Sequence, residues 1–375
     1  MLISLRHSRS ALLALALIAC RSSAPADAGG GPVPAGGQSR RSATWPQQLA
    51  MEFGRAPEPA PAKWMGLIGE YGPDTTLRWI ALERDRRMHI LDQYGNYVPL
   101  AEKSDSVFEA PRSTASVSGE LHFLRDSAGR ATAIRLGDMM MARRKIEPPP
   151  GVNQLRITPL RPVEELRREA LNARPPAETG SFKQPDLVEL VTLDSTIKLE
   201  IRYATENNFL GTKVYEQPRA FMQRPAAEAL AKANKALKPL GYGLLIHDAY
   251  RPWYVTKIFW DATPDSLRWL VANPAEGSRH NRGAAVDLTL YKLEGGQAVE
   301  MPSTYDESTT RAYASYPGGT ALQRWYRALL KRAVEHEGFT VNPREWWHFD
   351  FKDWRSYPIG NIPFDQVRPA PTVVK

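Results

Sequence analysis

One cysteine in 375 residues excludes any disulfide within the chain. No internal repeat is evident, so stacked-repeat architectures are excluded as well. Apolar runs long enough to cross a bilayer are also missing; the most apolar stretch near the start, Ala11 to Ala19, is too short. Although the formal charge is +8, the Lys and Arg residues are dispersed and form no block that would mark a nucleic-acid partner. The charge reads as a solvated surface, with anionic cell-envelope polymers as the second reading. What is present is ordinary for folded protein: 42% hydrophobic and 24% charged residues, in a chain long enough for two cores.

The position of that cysteine is informative. Arg6, His7 and Arg9 precede the apolar stretch, which ends Leu17-Ile18-Ala19-Cys20. A basic segment, a short apolar segment and then small residues have the layout of an export signal. The ending resembles the bacterial lipobox, which implies removal of residues 1–19 and lipidation of Cys20, whose acyl chains would hold the protein to a membrane. In a Gram-negative cell, Arg21, in place of an aspartate, would favour an outer-membrane anchor facing the periplasm. Residues 20–45, including AGGGPVPAGG from Ala28 to Gly37, lack apolar periodicity and read as a tether.

Residues 46–145 read as a small all-β roll or barrel. Strands are expected at Leu77–Leu82, Met88–Leu91, Tyr97–Leu100, Glu120–Leu124 and Ala133–Leu136, with turns at Gly72-Pro73-Asp74, Gly95-Asn96 and Ser127-Ala128-Gly129. His89 and His122 fall inside these strands and read as structural. A Pro-rich connector, 146–185, carries one helix over Pro162 to Ala173. In residues 186–375, strands are expected at Leu187–Val191, Ile197–Tyr203, Gly243–Asp248, Ala284–Leu290 and Glu345–Phe351. Helices are expected from Pro225 to about Lys238 and from Thr320 to Glu337, the latter turning Leu322, Trp325, Leu329, Leu330 and Ala333 inward and stopping at Gly338. The fold class is α+β.

Two short stretches carry the chemistry. Ser278 to Asp287 (SRHNRGAAVD) holds an imidazole and a carboxylate seven positions apart, and Glu345-Trp346-Trp347-His348 holds a carboxylate three positions before an imidazole. A catalytic zinc needs three protein ligands, an open position and a nearby base, and these four groups can supply them. A turn at Arg282-Gly283 can fold His280 back over the strand of Asp287, and Ala284 and Ala285 leave room. Glu345 and His348 would point to opposite faces of a regular strand, so a bulge or a strand start at Glu345 is required. His247 and His336 lie outside both stretches and read as structural. Trp346 and Trp347 read as pocket wall or core.

The spacing SxHxxGxAxD followed by EWWH resembles the zinc D-alanyl-D-alanine dipeptidases, the VanX-like branch of the LAS peptidases. The resemblance runs from about Asp186 to Pro363 and includes IRYATENNFLGTKVY (Ile201 to Tyr215), DAYRP (Asp248 to Pro252) and EWWHFDF. It implies an α+β domain with a central antiparallel sheet and flanking helices. It further implies one Zn2+ per chain on His280, Asp287 and His348, with Glu345 as general base and Arg251 stabilising the oxyanion. Tyr203, Ser278 and Asp306 are implied as substrate contacts, Asp306 toward the amino group. Arg251 could instead be a structural ion pair with Asp248, and Ser278 a plain turn residue. The expected substrate is a small D,D-dipeptide, and no nucleic-acid partner is expected. Two alternatives stay open: a peptidoglycan carboxypeptidase or endopeptidase, with the β-rich segment docking on the wall, and a non-catalytic zinc-fold binding module.

Overall fold

The structure is a computed structural model that describes residues 43–73, 78–112, 116–146 and 156–368. Cys20 and its export signal, most of the tether, Asp74 and Leu77 lie outside them. No helix among the described residues is long and apolar enough to cross a membrane.

After α1 (Trp45–Phe53) and the single turn α2 (Ala62–Met65) come nine strands in two antiparallel meanders. The first comprises β1 (Gly69–Tyr71), β2 (Trp79–Arg84), β3 (Arg87–Leu91) and β4 (Tyr97–Pro99), paired in that order. The second runs β5 (Ala101–Glu102), β6 (Val107–Ala110), β7 (Gly119–Arg125), β8 (Ala131–Leu136) and β9 (Met139–Ala142). Tyr71, Trp79, Phe108 and Phe123 fill one core shared by both sheets. Alternation in β7, with Leu121 and Phe123 inward and Leu124 outward, is the period of a strand with one covered face.

The rest of the chain forms α3 (Val163–Asn172), β10 (Leu187–Glu189), α4 (Leu190–Leu193), β11 (Lys198–Leu199), β12 (Phe221–Gln223), α5 (Arg224–Leu237), β13 (Tyr242–Asp248), α6 (Trp253–Ala262), β14 (Ala285–Lys292), α7 (Ala321–His336), β15 (Phe339–Asn342) and β16 (Glu345–Phe351). Its central sheet has the order β11-β13-β14-β16-β15. All pairs are antiparallel except β11 with β13. α5 and α7 pack on this sheet. Val286, Leu288 and Leu290 of β14 join their core, and alternation turns Asp287 and Thr289 to the opposite face.

Several elements differ from the sequence expectations. The strand begun at Leu187 ends at Glu189, where α4 takes over. Only Lys198 and Leu199 of the stretch Ile197–Tyr203 are strand, and Arg202–Ala204 is a 3-10 turn. That turn buries Tyr203 among Phe209, Tyr215 and Phe259, whose packing outweighs the strand propensity of the run. α6 had no expected counterpart. It buries Trp253, Tyr254, Val255, Ile258 and Phe259, and its polar side is reduced to Lys257 and Asp261, an ion pair at 2.7 Å, so the one-sided period of a surface helix is weak in its sequence. In α7, Leu329, Leu330 and Ala333 are buried as expected, while Leu322 and Trp325 are only partly covered.

The chain from Trp45 does not begin as β structure. Leu49 and Phe53 of α1 belong to the core around the central sheet, Trp45 stacks on His336 at 3.6 Å, and Glu52 pairs with Arg332 at 3.0 Å. The first meander docks through Glu83, whose side chain accepts from Ala321 N at 2.7 Å. Ala321 is the first residue of α7, where unpaired N–H groups and the helix dipole favour an anion.

Candidate metal centre

Three strands converge on the centre. Asp287 sits in β14 and pairs across the sheet with His348 of β16 on one side and Asp248 of β13 on the other. The register of β13 shifts between Ile246 and Asp248, so His247 is the extra residue of a bulge. Such a bulge re-aims side chains next to a site. A second shift sets Val341 opposite Phe349 but Asn342 opposite Glu345, leaving Trp346 to His348 as the excess on β16. Glu345 is thus both the first residue of its strand and beside an irregularity, which resolves the three-residue spacing from His348.

His280 comes from a 3-10 turn, His280–Arg282, ended by Gly283 at φ 64°. Arg251 N donates to His280 O at 3.1 Å, and Asn281 Nδ2 donates to Arg251 O and to Thr256 Oγ1, each at 2.8 Å. These bonds bind the SRHN turn to the DAYRP segment and to α6. Ala284 and Ala285 beside it are fully buried.

Ligand atoms of His280, Asp287 and His348 all lie within 4.8 Å of one another, and the three residues are buried. His280 Nε2 and His348 Nδ1 face each other at 3.1 Å, and Asp287 Oδ1 lies 2.9 Å from His348 Nδ1. The remaining nitrogens are committed outward: His280 Nδ1 donates to Ala249 O at 2.7 Å and His348 Nε2 to Asp350 Oδ1 at 3.0 Å. Each such bond fixes a tautomer, leaving the facing nitrogens as lone-pair donors. Two imidazoles and a carboxylate arranged this way could hold a metal ion. Electrostatics agree with a cation there. Against its burial, Asp287 is held well below the usual carboxylate range by His280 and His348. His348, also against its burial, is raised well above the usual imidazole range by hydrogen bonds to Asp287 and Asp350, and the Nδ1 proton of that charged form is the one a metal ion would displace.

Around this cluster lies a pocket of about 350 Å³ lined by Tyr203, Arg251, Ser278, Asp306, Glu345 and Trp347, among others. Glu345 Oε2 is 3.8 Å from His348 Nδ1 and accepts from Asn342 Nδ2 at 2.9 Å. Arg251 forms the ion pair with Asp248 raised as an alternative, with Nε at 3.0 Å and Nη2 at 2.6 Å from Asp248 Oδ2. It also lines the pocket, its guanidinium lying over the Phe259 and Tyr203 rings at 5.0 and 5.4 Å. Ser278 Oγ accepts from His280 N at 3.3 Å. Tyr203 OH donates to Asp306 Oδ2 at 2.8 Å. Burial, followed by the Asp287 carboxylate, pushes Asp306 up to about 8. The pocket therefore brings together every predicted site residue except Cys20, which is outside the described residues.

Three contributors escaped the sequence reading. Asp350 shares a strand face with His348 two positions away, which is a legible signal. Arg279, which pairs with Asp350, and Tyr305, which donates to Asp287 Oδ2 at 3.0 Å, have no sequence signal of their own. His89 and His122 lie on β3 and β7, outside the cluster, and His336 lies under Trp45. Trp346 and Trp347 are buried, and Trp347 also lines the pocket.

An α+β domain with a two-histidine, one-carboxylate centre and an adjacent glutamate is the architecture of a metallopeptidase. Residues 183–359 match the peptidase M15 family model, described as D-ala-D-ala dipeptidase. A D-alanyl-D-alanine dipeptidase of Escherichia coli (strain K12) is 34% identical over 174 residues, covering 46% of this chain and 89% of the relative. Those of Enterococcus faecium and Streptomyces coelicolor are 33% and 31% identical, with 91% and 93% of their lengths covered by 45% and 47% of this chain. The chain belongs to the D-Ala-D-Ala dipeptidase family of M15 peptidases.

Proposed function

We propose that this protein is a zinc-dependent dipeptidase that hydrolyses D-Ala-D-Ala, or a closely related D,D-dipeptide, to free amino acids. The observation that carries the reading is one small pocket uniting the His280–Asp287–His348 cluster with Glu345, Arg251 and Asp306. Its volume, about 350 Å³, is at the low end for ligand sites and suits a short peptide. The donor set fits zinc, which favours imidazole nitrogen with carboxylate oxygen. When bound, a zinc ion supplies a Lewis acid that polarises the scissile carbonyl and lowers the pKa of water to about 7.

The chain's own residues do the rest. Glu345 takes a proton from the attacking water and passes it to the leaving amine. Arg251, held by Asp248 through Nε and Nη2, keeps a fixed positive charge near the developing oxyanion. A free dipeptide carries an ammonium and a carboxylate. Asp306, supported by Tyr203, answers the ammonium, whose approach favours the ionised acid that burial alone disfavours. Ser278 offers a hydroxyl to the other end.

A substrate panel tests this. D-Ala-D-Ala is expected to be cleaved, its N-acetyl form and a wall pentapeptide much more slowly. A chelator should abolish turnover and added zinc restore it. Faster cleavage of the blocked substrate would turn the reading toward a wall carboxypeptidase. Envelope localisation through a lipid on Cys20, with the two meanders toward the wall, is proposed on the Leu17–Cys20 pattern. Mass spectrometry of the mature N-terminus checks it, an unmodified Cys20 counting against it.

A further inference from the structure

We propose that Tyr305 is a positioning residue of the metal centre: its hydroxyl occupies one oxygen of Asp287 so that only the other faces the ion. This rests on the metal reading above. Asp287 Oδ1 is the oxygen turned toward both imidazoles, 2.9 Å from His348 Nδ1 and 3.5 Å from His280 Nε2. Oδ2 instead accepts from Tyr305 OH at 3.0 Å. An ionised carboxylate only accepts, so the proton in that bond belongs to the tyrosine.

The hydroxyl is held where it is. Tyr305 is buried, its ring lying on His247 at 4.7 Å and meeting Trp347 edge-on at 5.5 Å. His247 is the extra residue of the β13 bulge, so the irregularity that sets Asp248 opposite Asp287 also supplies the surface under Tyr305. The following residue, Asp306, has φ 59°, a left-handed conformation uncommon outside glycine. With it, consecutive side chains both serve the centre: Tyr305 reaches Asp287, and Asp306 reaches Tyr203 at 2.8 Å. Every ligand thereby has an outer partner, since Ala249 O holds His280 and Asp350 holds His348. Loss of such a partner typically weakens metal binding roughly 10–100-fold.

Tyr305→Phe in the full chain tests the proposal, because it keeps the ring contacts and removes only the hydroxyl. Zinc affinity, measured by competition with a chelator of known strength, is expected to fall roughly 10–100-fold. The cobalt-substituted variant should show weaker visible absorption bands, as the freed Asp287 oxygen joins the ion and raises its coordination number. The metal-free melting temperature should fall only by what one lost hydrogen bond to a buried carboxylate costs, so the cobalt spectrum is what separates positioning from a merely structural role. Unchanged zinc affinity with an unchanged cobalt spectrum overturns the proposal, and so does a lowered metal-free melting temperature with an unchanged spectrum, which makes the residue purely structural. A wild-type protein that binds neither ion sinks the metal reading instead, so the two failures are distinguishable.

Discussion

Replacing Glu345 by Gln removes one negative charge while keeping the shape and the contact with Asn342 Nδ2 at 2.9 Å. If Glu345 moves the proton, kcat on D-Ala-D-Ala should fall by about 10²–10⁴. Zinc content, read by elemental analysis, should stay near one per chain. Arg251 separates charge from shape. Arg251→Ala should cost about 10²–10³ in kcat and also stability, because Asp248, 1% exposed, loses its cation. Arg251→Lys keeps the charge but not the fork, so its melting temperature should lie nearer the wild type while kcat stays low. Equal melting temperatures for the two variants would show that the Asp248 pair contributes nothing to the fold.

At the scale of elements, the turn carrying His280 depends on Gly283. Its φ of 64° disfavours any side chain, and a Cβ there would meet Leu187 Cδ2 at 2.5 Å. Gly283→Ala should therefore lower stability by about 1–3 kcal/mol, measured by urea unfolding, and weaken metal binding with it. Much of this local design is legible in the sequence. The SRHNRG run announces a turn before a buried strand, and α7 shows its period and its Gly338 stop. What stays hidden is set by partners distant along the chain. α6 is apolar over most of its circumference, with only Lys257 and Asp261 to mark the other side. Tyr203 leaves the strand pattern to join an aromatic cluster assembled from three other segments. Tyr305 is one of 14 tyrosines, and only the folded chain brings it to Asp287. The shift that frees Glu345 could be required from spacing, but its location on β15 and β16 could not.

His247 links these elements to the behaviour of the whole molecule. Burial, reinforced by Arg202, lowers it from an ordinary 6.5 to about 4. A base depressed in this way is neutral in the folded state and takes up a proton more readily once unfolded. Its contribution is complete above pH 6.5 and is lost as pH falls toward 4, on the order of 3 kcal/mol at 1.36 kcal/mol per pH unit. Unfolding free energy measured across that window should fall for the wild type and stay flatter in His247→Phe. Parallel slopes would assign the acid sensitivity elsewhere. At this scale the chain is also less modular than its composition suggests, because the two meanders sit between α1 and the remainder of the core that α1 completes.

That interruption has a consequence for how the protein is made. Of the described elements α1 leaves the ribosome first, yet α5, against which it packs, ends at Leu237. At 5–20 residues per second the intervening chain takes roughly ten to forty seconds to appear. Throughout that interval Leu49 and Phe53 have no native surface to cover them, while β1 to β9 can already pair among themselves. For N-to-C emergence, whether from the ribosome or across a membrane, the expected order is that the meanders close early, the first helix waits, and the metal centre is completed only when β16 arrives.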